Sequence, residues 1–452
     1  MGNAAIVTTL DPAQPHPPPS LRTRPHRAGA AALALGLSID REAARAVVGA
    51  YALTRLVVFF LIFVSLGTIP VQRDVGYFHG RLYRVTPDNA VLTGLMRFDS
   101  EWYYWIVTHG YHAAVHYYDQ RIPSTVFFPL YPLLVKALSA LIGNVFVAGA
   151  LISNVALLAA LGYVYALARD EFDRPAAARA VLYVAAAPAA VFLSAMYTES
   201  LFVLLVTATF YHARHRQWAR AALAGALGAA TRNTGVFLAL VVALEGLHQA
   251  GVRWKPPGWT PAALRAHLRA QRALVATSLP TLRPSLAAAA VVPAGLLAFM
   301  AYLARTVGDP LAFVHGGDAW GLSRFWLIHP RAMLVRWYHE LHVGSHVWAG
   351  QINGAVLLDL LIMLAFAPLV VAVLVKMRPA HGVFVLLTFL IPVSTATLAS
   401  TSMLRYVLML VPCYMLLASW GRREWVHTLI LGLSLPLMAY ITVTFSHWYL
   451  PF

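Results

Sequence analysis

The stretch Ala44–Ile69 reads ARAVVGAYALTRLVVFFLIFVSLGTI, the first long apolar run of the chain. At about 1.5 Å per helical residue it outreaches a hydrocarbon core about 30 Å thick. The run begins far from the N-terminus and carries no A-x-A cleavage site, so it is expected to stay as the first membrane helix and not to be removed as a signal peptide. Similar runs recur to the end of the chain. Of 452 residues, 60% are hydrophobic and 12% charged, where soluble domains are about 25% charged, and the mean hydropathy is +0.66. These figures exclude a soluble enzyme and predict an all-α polytopic membrane protein. Thirty-four Lys+Arg against 18 Asp+Glu leave a net charge of +16. In such a chain that excess reports cytosolic loops facing anionic membrane lipid, and nucleic-acid binding is set aside. Cys413 is the single cysteine, so no intrachain disulfide and no Cys-based metal cluster is possible.

Residues 1–43 combine the run Pro15-His16-Pro17-Pro18-Pro19 with Arg22, Arg24, His26 and Arg27 and are expected to form a disordered basic cytosolic tail. The positive-inside rule orients the rest of the chain. Basic loops at Arg169–Arg179, His212–Arg220, Arg253–Arg283, Lys376–His381 and Arg422–Arg423 are expected on the cytosolic side. The apolar segments between them then pair as 178–196 with 199–214, 219–230 with 235–249, 285–307 with 353–376, and 380–399 with 404–420. A final helix over 425–446 belongs to a C-terminal unit, 421–452, after the catalytic domain 44–420. This parity predicts about ten to eleven crossings and a long first outer loop, with 124–142 re-entrant or lying on the outer face. The pair 219–230 and 235–249 is too short to span and predicts half-helices meeting at Thr231–Gly235.

Under this topology the polar exceptions fall on one side. Arg97-Phe98-Asp99-Ser100-Glu101-Trp102-Tyr103 lies in the first outer loop, residues 70–123, and Phe127-Phe128-Pro129-Leu130-Tyr131-Pro132 comes next. Tyr197-Thr198-Glu199-Ser200, Thr231-Arg232-Asn233-Thr234-Gly235 and Leu404-Arg405-Tyr406 are outer turns, and Gly308-Asp309-Pro310 opens the outer loop 308–352. Charges near membrane depth are costly unless they face a polar cavity or each other. A shared outer cavity is therefore expected.

These motifs, with Gly110-Tyr111, Leu311-Ala312-Phe313 and Trp320-Gly321, come in an order that resembles the PIG-V mannosyltransferases, which are similar to GPI mannosyltransferase 2 and belong to the GT-C class of membrane glycosyltransferases. The resemblance covers roughly residues 50–415. It implies a GT-C-like bundle that transfers mannose from a polyprenyl-phosphate donor to an acceptor on the extracytoplasmic face of the cell membrane. Two positions depart from the family pattern. Phe98 stands where Trp is usual, and the arginine motif reads Arg232-Asn233-Thr234-Gly235 in place of Arg-Ser/Pro-Asn/Thr-Gly. Both departures keep the ionisable residue and bear more on the acceptor than on the reaction.

The resemblance makes Asp99 the candidate general base, since inverting transfer requires a carboxylate to take the acceptor's proton and requires no nucleophile. The competing reading is an interfacial Asp beside the aromatic belt Trp102, Tyr103, Tyr104 and Trp105. Candidate substrate-binding residues are Arg97, Glu101, Tyr131, Glu199, Arg232, Asn233, Arg405 and Tyr406. Glu199 reads equally as a helix-start carboxylate stabilised by the dipole. Arg232 and Arg405 could hold a lipid-linked phosphate or snorkel to headgroups. Phe127–Pro132 could stack on sugar or simply form aromatic belt, and Asp309 could simply start a turn. His109, His112 and His116, and His342 with His346, have helical spacing, yet no HExxH occurs and no metal or other cofactor is predicted. Glu171-Phe172-Asp173 lies in a basic loop and reads as a solvated turn. Neither a Walker A loop nor GxGxxG is present, which argues against ATP-driven transport. The alternatives to mannose transfer are a GT-C enzyme using another polyprenyl-phosphate sugar and a secondary transporter or lipid flippase with Asp99 and Glu199 as proton or substrate sites.

Overall fold

The computed structural model describes residues 40–72, 86–112, 114–117, 120–320, 330–342, 347–348, 352–395 and 402–449. Residues 1–39 of the expected tail, Gly321 and His346 lie outside them. In chain order the helices are α1 (Arg41–Thr68), α2 (Ala90–Leu95), α3 (Asp99–His109), α4 (Leu130–Ile142), α5 (Val145–Glu171), α6 (Arg174–Ala185), α7 (Glu199–Arg214), α8 (Trp218–Ala229), α9 (Leu238–Gln249), α10 (Pro261–Thr277), α11 (Leu279–Val291), α12 (Ala294–Thr306), α13 (Ala312–His315), α14 (Pro330–His342), α15 (Gly354–Lys376), α16 (Pro379–Thr395), α17 (Met403–Leu408), α18 (Val411–Trp420) and α19 (Glu424–Ser446). Among the described residues, strands are confined to two short antiparallel hairpins, Val115–Tyr117 with Gln120–Ile122 and Val347–Trp348 with Ile352–Asn353. The protein is an all-α polytopic membrane protein.

Among the described residues five helical stretches are long and apolar enough to cross a membrane: Arg41–Thr68, Val145–Glu171, Leu279–Thr306, Val356–Lys376 and Glu424–Ser446. Their starts follow local chemistry. Asp40 caps α1 by accepting the Ala43 N–H at 2.8 Å, and Asn144 caps α5 by accepting from Phe146 and Val147. The other expected crossings are divided. The 12 residues of α8 and the 12 of α9 meet through a 3₁₀ turn at Asn233–Phe237, and each would cover only about 18 Å. Gly235 permits this junction, because a Cβ there would stand 2.2 Å from the Gly228 carbonyl oxygen. The same kind of interruption separates α6 from α7, where 186–198 hold only a short 3₁₀ turn, and Ser402, in a left-handed conformation, breaks the chain before the short α17. The apolar pattern predicts an uninterrupted segment over 178–196 and a turn between 399 and 404. The 13-residue α4 is likewise shorter than a bilayer core.

Interrupted helices expose carbonyls that buried side chains must satisfy. Arg55, in the middle of the apolar run Ala44–Ile69, does this for the 186–198 segment. It is buried and donates to the carbonyls of Ala185 at 2.8 Å and Ala190 at 2.9 Å and to Ser194 Oγ at 2.9 Å. At the other end of the chain α19 packs on α1 and α2. His447 Nε2 lies 3.1 Å from the Ser65 carbonyl, and Phe445 packs tilted against Phe98 and edge-on against Phe192 and Tyr197. The final helix therefore supports the wall behind the site.

Candidate active site

The three helix interruptions converge on one cavity of about 260 Å³. The break before α7 brings Thr198, the break between α8 and α9 brings Thr231, Arg232 and Asn233, and the break before α17 brings Ser402, Arg405 and Tyr406. Asp99 and Tyr103 enter from the start of α3. Val126, Phe127, Phe128, Phe313 and Trp320 form an apolar and aromatic wall. Irregular backbone at membrane depth is tolerated where it lines such a cavity, which is how these non-helical turns coexist with their apolar surroundings.

An alternating chain of charges is the polar feature of the cavity. Arg405 Nη1 donates to Asp99 Oδ2 at 2.6 Å, and Arg405 Nε donates to Glu199 Oε1 at 2.8 Å. Arg232 Nη1 donates to the same Glu199 oxygen at 3.0 Å and to Thr198 Oγ1 at 3.2 Å. Two guanidinium groups and two carboxylates thus balance one another, as buried charges must. The guanidinium carbon of Arg405 sits 4.8 Å from the Tyr197 ring centroid, and that of Arg232 sits 5.3 Å from the Tyr406 ring.

The backbone that presents these groups is unusual at two points. Phe98, the residue before Asp99, has φ +51°, and Ser402, at the start of α17, has φ +45°. Left-handed conformations of non-glycine residues cost of order 1–3 kcal/mol and persist where surrounding contacts fix them. Such contacts are present at both. The Phe98 ring lies 4.8 Å from Trp448, and Tyr197 OH accepts the Asp99 N–H and donates to the Arg97 carbonyl, each at 3.1 Å. Asp359, on α15, accepts the N–H groups of Met403 at 3.1 Å and Leu404 at 3.3 Å. Sequence reasoning missed Asp359 and Tyr197 in these roles. The signal for Asp359 was available, since it is a lone carboxylate inside the apolar run GAVLLDLLIMLAF.

Of the sequence candidates, Asp99, Arg232, Asn233, Arg405 and Tyr406 line the cavity, and Glu199 lies directly behind it, held by both arginines. Arg97, Glu101 and Tyr131 do not line it. All three are fully buried in the helix packing. Arg97 donates to the Ser446 carbonyl at 2.8 Å, fastening the first loop to α19, and Tyr131 OH bonds Gly149 O at 3.0 Å and Ser153 Oγ at 2.9 Å, pinning α4 to α5. Their side chains pack among the helices that support the wall. Phe127 and Phe128 line the cavity, and Asp309 stands in an exposed turn, accepting the Leu311 N–H at 2.9 Å. His315 at 2.7 Å holds the Asp309 carboxyl below its usual range. The first histidine trio does not share a helix face, because α3 ends at His109 with Gly110 at φ +82° and His116 falls in a strand. Glu171 is not a solvated turn residue. Its side chain is largely buried and pairs with Arg214 and Arg378.

A family model described as dolichyl-phosphate-mannose-protein mannosyltransferase matches residues 124–255. That stretch supplies Val126, Phe127, Phe128, Thr198, Thr231, Arg232 and Asn233 to the cavity. No curated protein matches the chain in sequence. Among solved structures, the chain is similar to the Archaeoglobus fulgidus oligosaccharyltransferase in complex with Zn and sulfate, at 13% identity and TM-score 0.38, covering 89% of this chain and 53% of that one. It is similar also to ArnT from Cupriavidus metallidurans bound to undecaprenyl phosphate, at 14% identity and TM-score 0.42, covering 88% and 76%. The chain spans about half the length of the oligosaccharyltransferase chains it matches.

Proposed function

We propose that this protein is an inverting GT-C-like glycosyltransferase of the PIG-V type, transferring mannose from a polyprenyl-phosphate donor to a lipid, glycan or protein acceptor on the extracytoplasmic face of the cell membrane. The observation that carries the reading is the placement of one carboxylate, Asp99, and two arginines, Arg232 and Arg405, on a single cavity with an aromatic wall. The match of residues 124–255 to a mannosyltransferase family supports the reaction class and the donor sugar.

The roles follow from charge and reach. Arg405 and Arg232 hold the donor phosphate, where fixed cations stabilise the charge that develops on the departing oxygen. The aromatic wall of Phe127, Phe128 and Trp320 offers apolar faces for the sugar ring. The acceptor hydroxyl oxygen attacks the anomeric carbon from the side opposite the phosphate as its proton passes to Asp99. The bond from that carbon to the phosphate oxygen breaks, and polyprenyl phosphate leaves with the bonding electron pair. Arg405 Nη1 donates to Asp99 Oδ2 at 2.6 Å, so the guanidinium is shared between the base and the phosphate site. A donor phosphate competes with Asp99 for that guanidinium.

The test is an assay of purified wild type and Asp99→Asn with radiolabelled polyprenyl-phosphate-mannose and a membrane-lipid extract as acceptor pool. Transfer by wild type alone is expected, and the labelled product identifies the acceptor. Undiminished transfer by Asp99→Asn overturns the assignment of the base. Transfer from a different lipid-linked sugar alone keeps the reaction class and replaces the donor.

A further inference from the structure

Between Ala250 and Gly308 the chain contains no Asp or Glu, while Arg253, Lys255, Arg265, Arg269, Arg272 and Arg283 all fall there. The middle of this stretch is α10, a 17-residue helix begun by Thr260, whose hydroxyl accepts the Ala263 N–H, with Pro261 in its first turn. No residue of α10 is buried. One face is half-covered, through Ala263, His267, Gln271 and Leu274. There Gln271 Oε1 accepts the Arg253 N–H at 2.9 Å, and His267 Nε2 lies 3.0 Å from the Arg253 carbonyl, so the preceding loop folds back on the helix.

The uncovered surface has an order that helical spacing imposes. Arg265, Arg269 and Arg272 stand at i, i+4 and i+7 and form one basic stripe. Leu264 and Leu268, at i and i+4, form an apolar stripe beside it and are 40% and 48% exposed. In the loop before the helix Trp254 is 50% and Trp259 84% exposed. A helix resting in water gains nothing from bare leucines and tryptophans beside arginines. A headgroup layer accepts all three, apolar groups inward, indole rings at the boundary and guanidinium groups on lipid phosphates.

Two contacts locate this segment at the end of the apolar helices. Lys255 Nζ donates at 2.5 Å to the carbonyl of Val375, one residue from the end of the apolar α15. The last residue after α10, Ser278, directly precedes α11, where the apolar stretch Leu279–Thr306 begins. The segment therefore lies where helices α11 and α15 leave the hydrocarbon.

We infer that α10, with Trp254 and Trp259, is an interfacial anchor that lies in the plane of the membrane and binds the headgroups of an anionic leaflet. The occupant is lipid, on grounds of charge complementarity and of continuity with two membrane-crossing helices. The inference is independent of the proposed transferase activity. It assigns the basic stretch to the leaflet opposite the cavity, and it makes seating of the protein sensitive to lipid charge.

The test places an environment-sensitive fluorophore on a cysteine introduced by Leu268→Cys in a Cys413→Ala background of the full chain. The labelled protein is reconstituted in vesicles of phosphatidylcholine alone or mixed with phosphatidylglycerol. Expected is a blue-shifted emission, quenched by brominated lipid, that is stronger with phosphatidylglycerol and lost when Arg265, Arg269 and Arg272 are all replaced by Gln. A label equally open to a water-soluble quencher in both lipids overturns the inference. Protection that instead rises with protein concentration in detergent assigns the face to a second copy of the chain and overturns it too. Monodisperse behaviour of the triple variant in detergent separates loss of lipid binding from loss of fold.

Discussion

Helix α7 carries a network of buried charges at each end, and the two differ in what surrounds them. At its start, Glu199 is shared by Arg232 and Arg405, and Arg405 reaches on to Asp99. Near its last residue, Arg214 pairs with Glu171, Arg378 lies 3.5 Å from that same Glu171 oxygen, and Arg378 reaches Glu245 at 2.7 Å. Each end thus alternates two carboxylates with two arginines. The first network borders the cavity, and none of the second network's residues lines it. In the second, Gln249 also caps Glu245 at 3.0 Å and the carbonyls of Ala213 and Arg214, so it serves to close helix ends. The pattern of charges alone does not distinguish a site from a clasp. Access and an apolar wall do.

The largest effect expected from that difference is at Asp99. Asp99→Asn keeps the size and hydrogen-bonding reach of the side chain while removing the base, and transfer should fall by about 10²–10⁴-fold, the usual worth of a positioned general base. The same variant relieves Arg405 of one of its two carboxylate partners, so binding of the donor lipid, measured without acceptor, should tighten. Weaker donor binding by Asp99→Asn contradicts the competition between Asp99 and phosphate. Next comes Arg405→Lys, which keeps the charge and loses the fork that spans Asp99 and Glu199. Its kcat should drop by about 10²–10³-fold, as for loss of one fixed transition-state donor.

At the opposite end the prediction inverts. Arg214→Gln leaves Glu171 only its 3.5 Å contact with Arg378 and should lower the stability of the detergent-solubilised protein by about 1–3 kcal/mol, the scale for a partly buried polar group that loses a partner, while kcat and KM of the surviving folded protein stay those of wild type. A change in KM there with unchanged melting would show that the second network belongs to the site. Asp359→Asn should fall between the two classes. It touches no cavity surface and holds the turn that carries Arg405, so activity should decrease by about tenfold through misplacement of that arginine, with a smaller loss of thermal stability.

How much of the molecule was legible in the sequence follows the same division. The long apolar runs specify α1, α15 and α19 nearly to the residue, because a spanning helix is set by composition alone. The short pair α8 and α9 was legible from length, and its junction fell at the predicted Thr231–Gly235. The early end of α6 at Ala185 was not, since Ala186–Tyr197 is as apolar as a helix and its interruption depends on Arg55, 130 residues away, satisfying the freed carbonyls, whereas the turns before α7 and α17 fell where outer turns were expected. For the same reason charge by itself did not show that Arg97 bonds the Ser446 carbonyl or that Glu171 pairs with Arg214. A buried ionisable residue marks a polar partner, and only the fold reveals whether that partner is substrate or protein.

The smallest effect concerns pH at the clasp end. His215, in the turn after α7, has Nε2 3.3 Å from Asp170 Oδ2, and this partnership raises its pKa above the ordinary imidazole value, against the opposing influence of partial burial. A raised folded-state pKa contributes stability that is fully present below the unfolded value of about 6.5 and is lost as pH rises through the folded value. Thermal stability in detergent should therefore decline slightly from acidic to mildly alkaline pH, and His215→Gln should flatten that slope. The imidazole is about one-third exposed, which screens the pair and keeps the effect well below that of Arg214→Gln. Transfer measured over the same range should not follow this titration, because His215 stands at the end of α7 remote from Asp99. A kinetic titration that disappears in His215→Gln would instead mean that the two ends of α7 are coupled, and that the clasp reports to the site through the helix joining them.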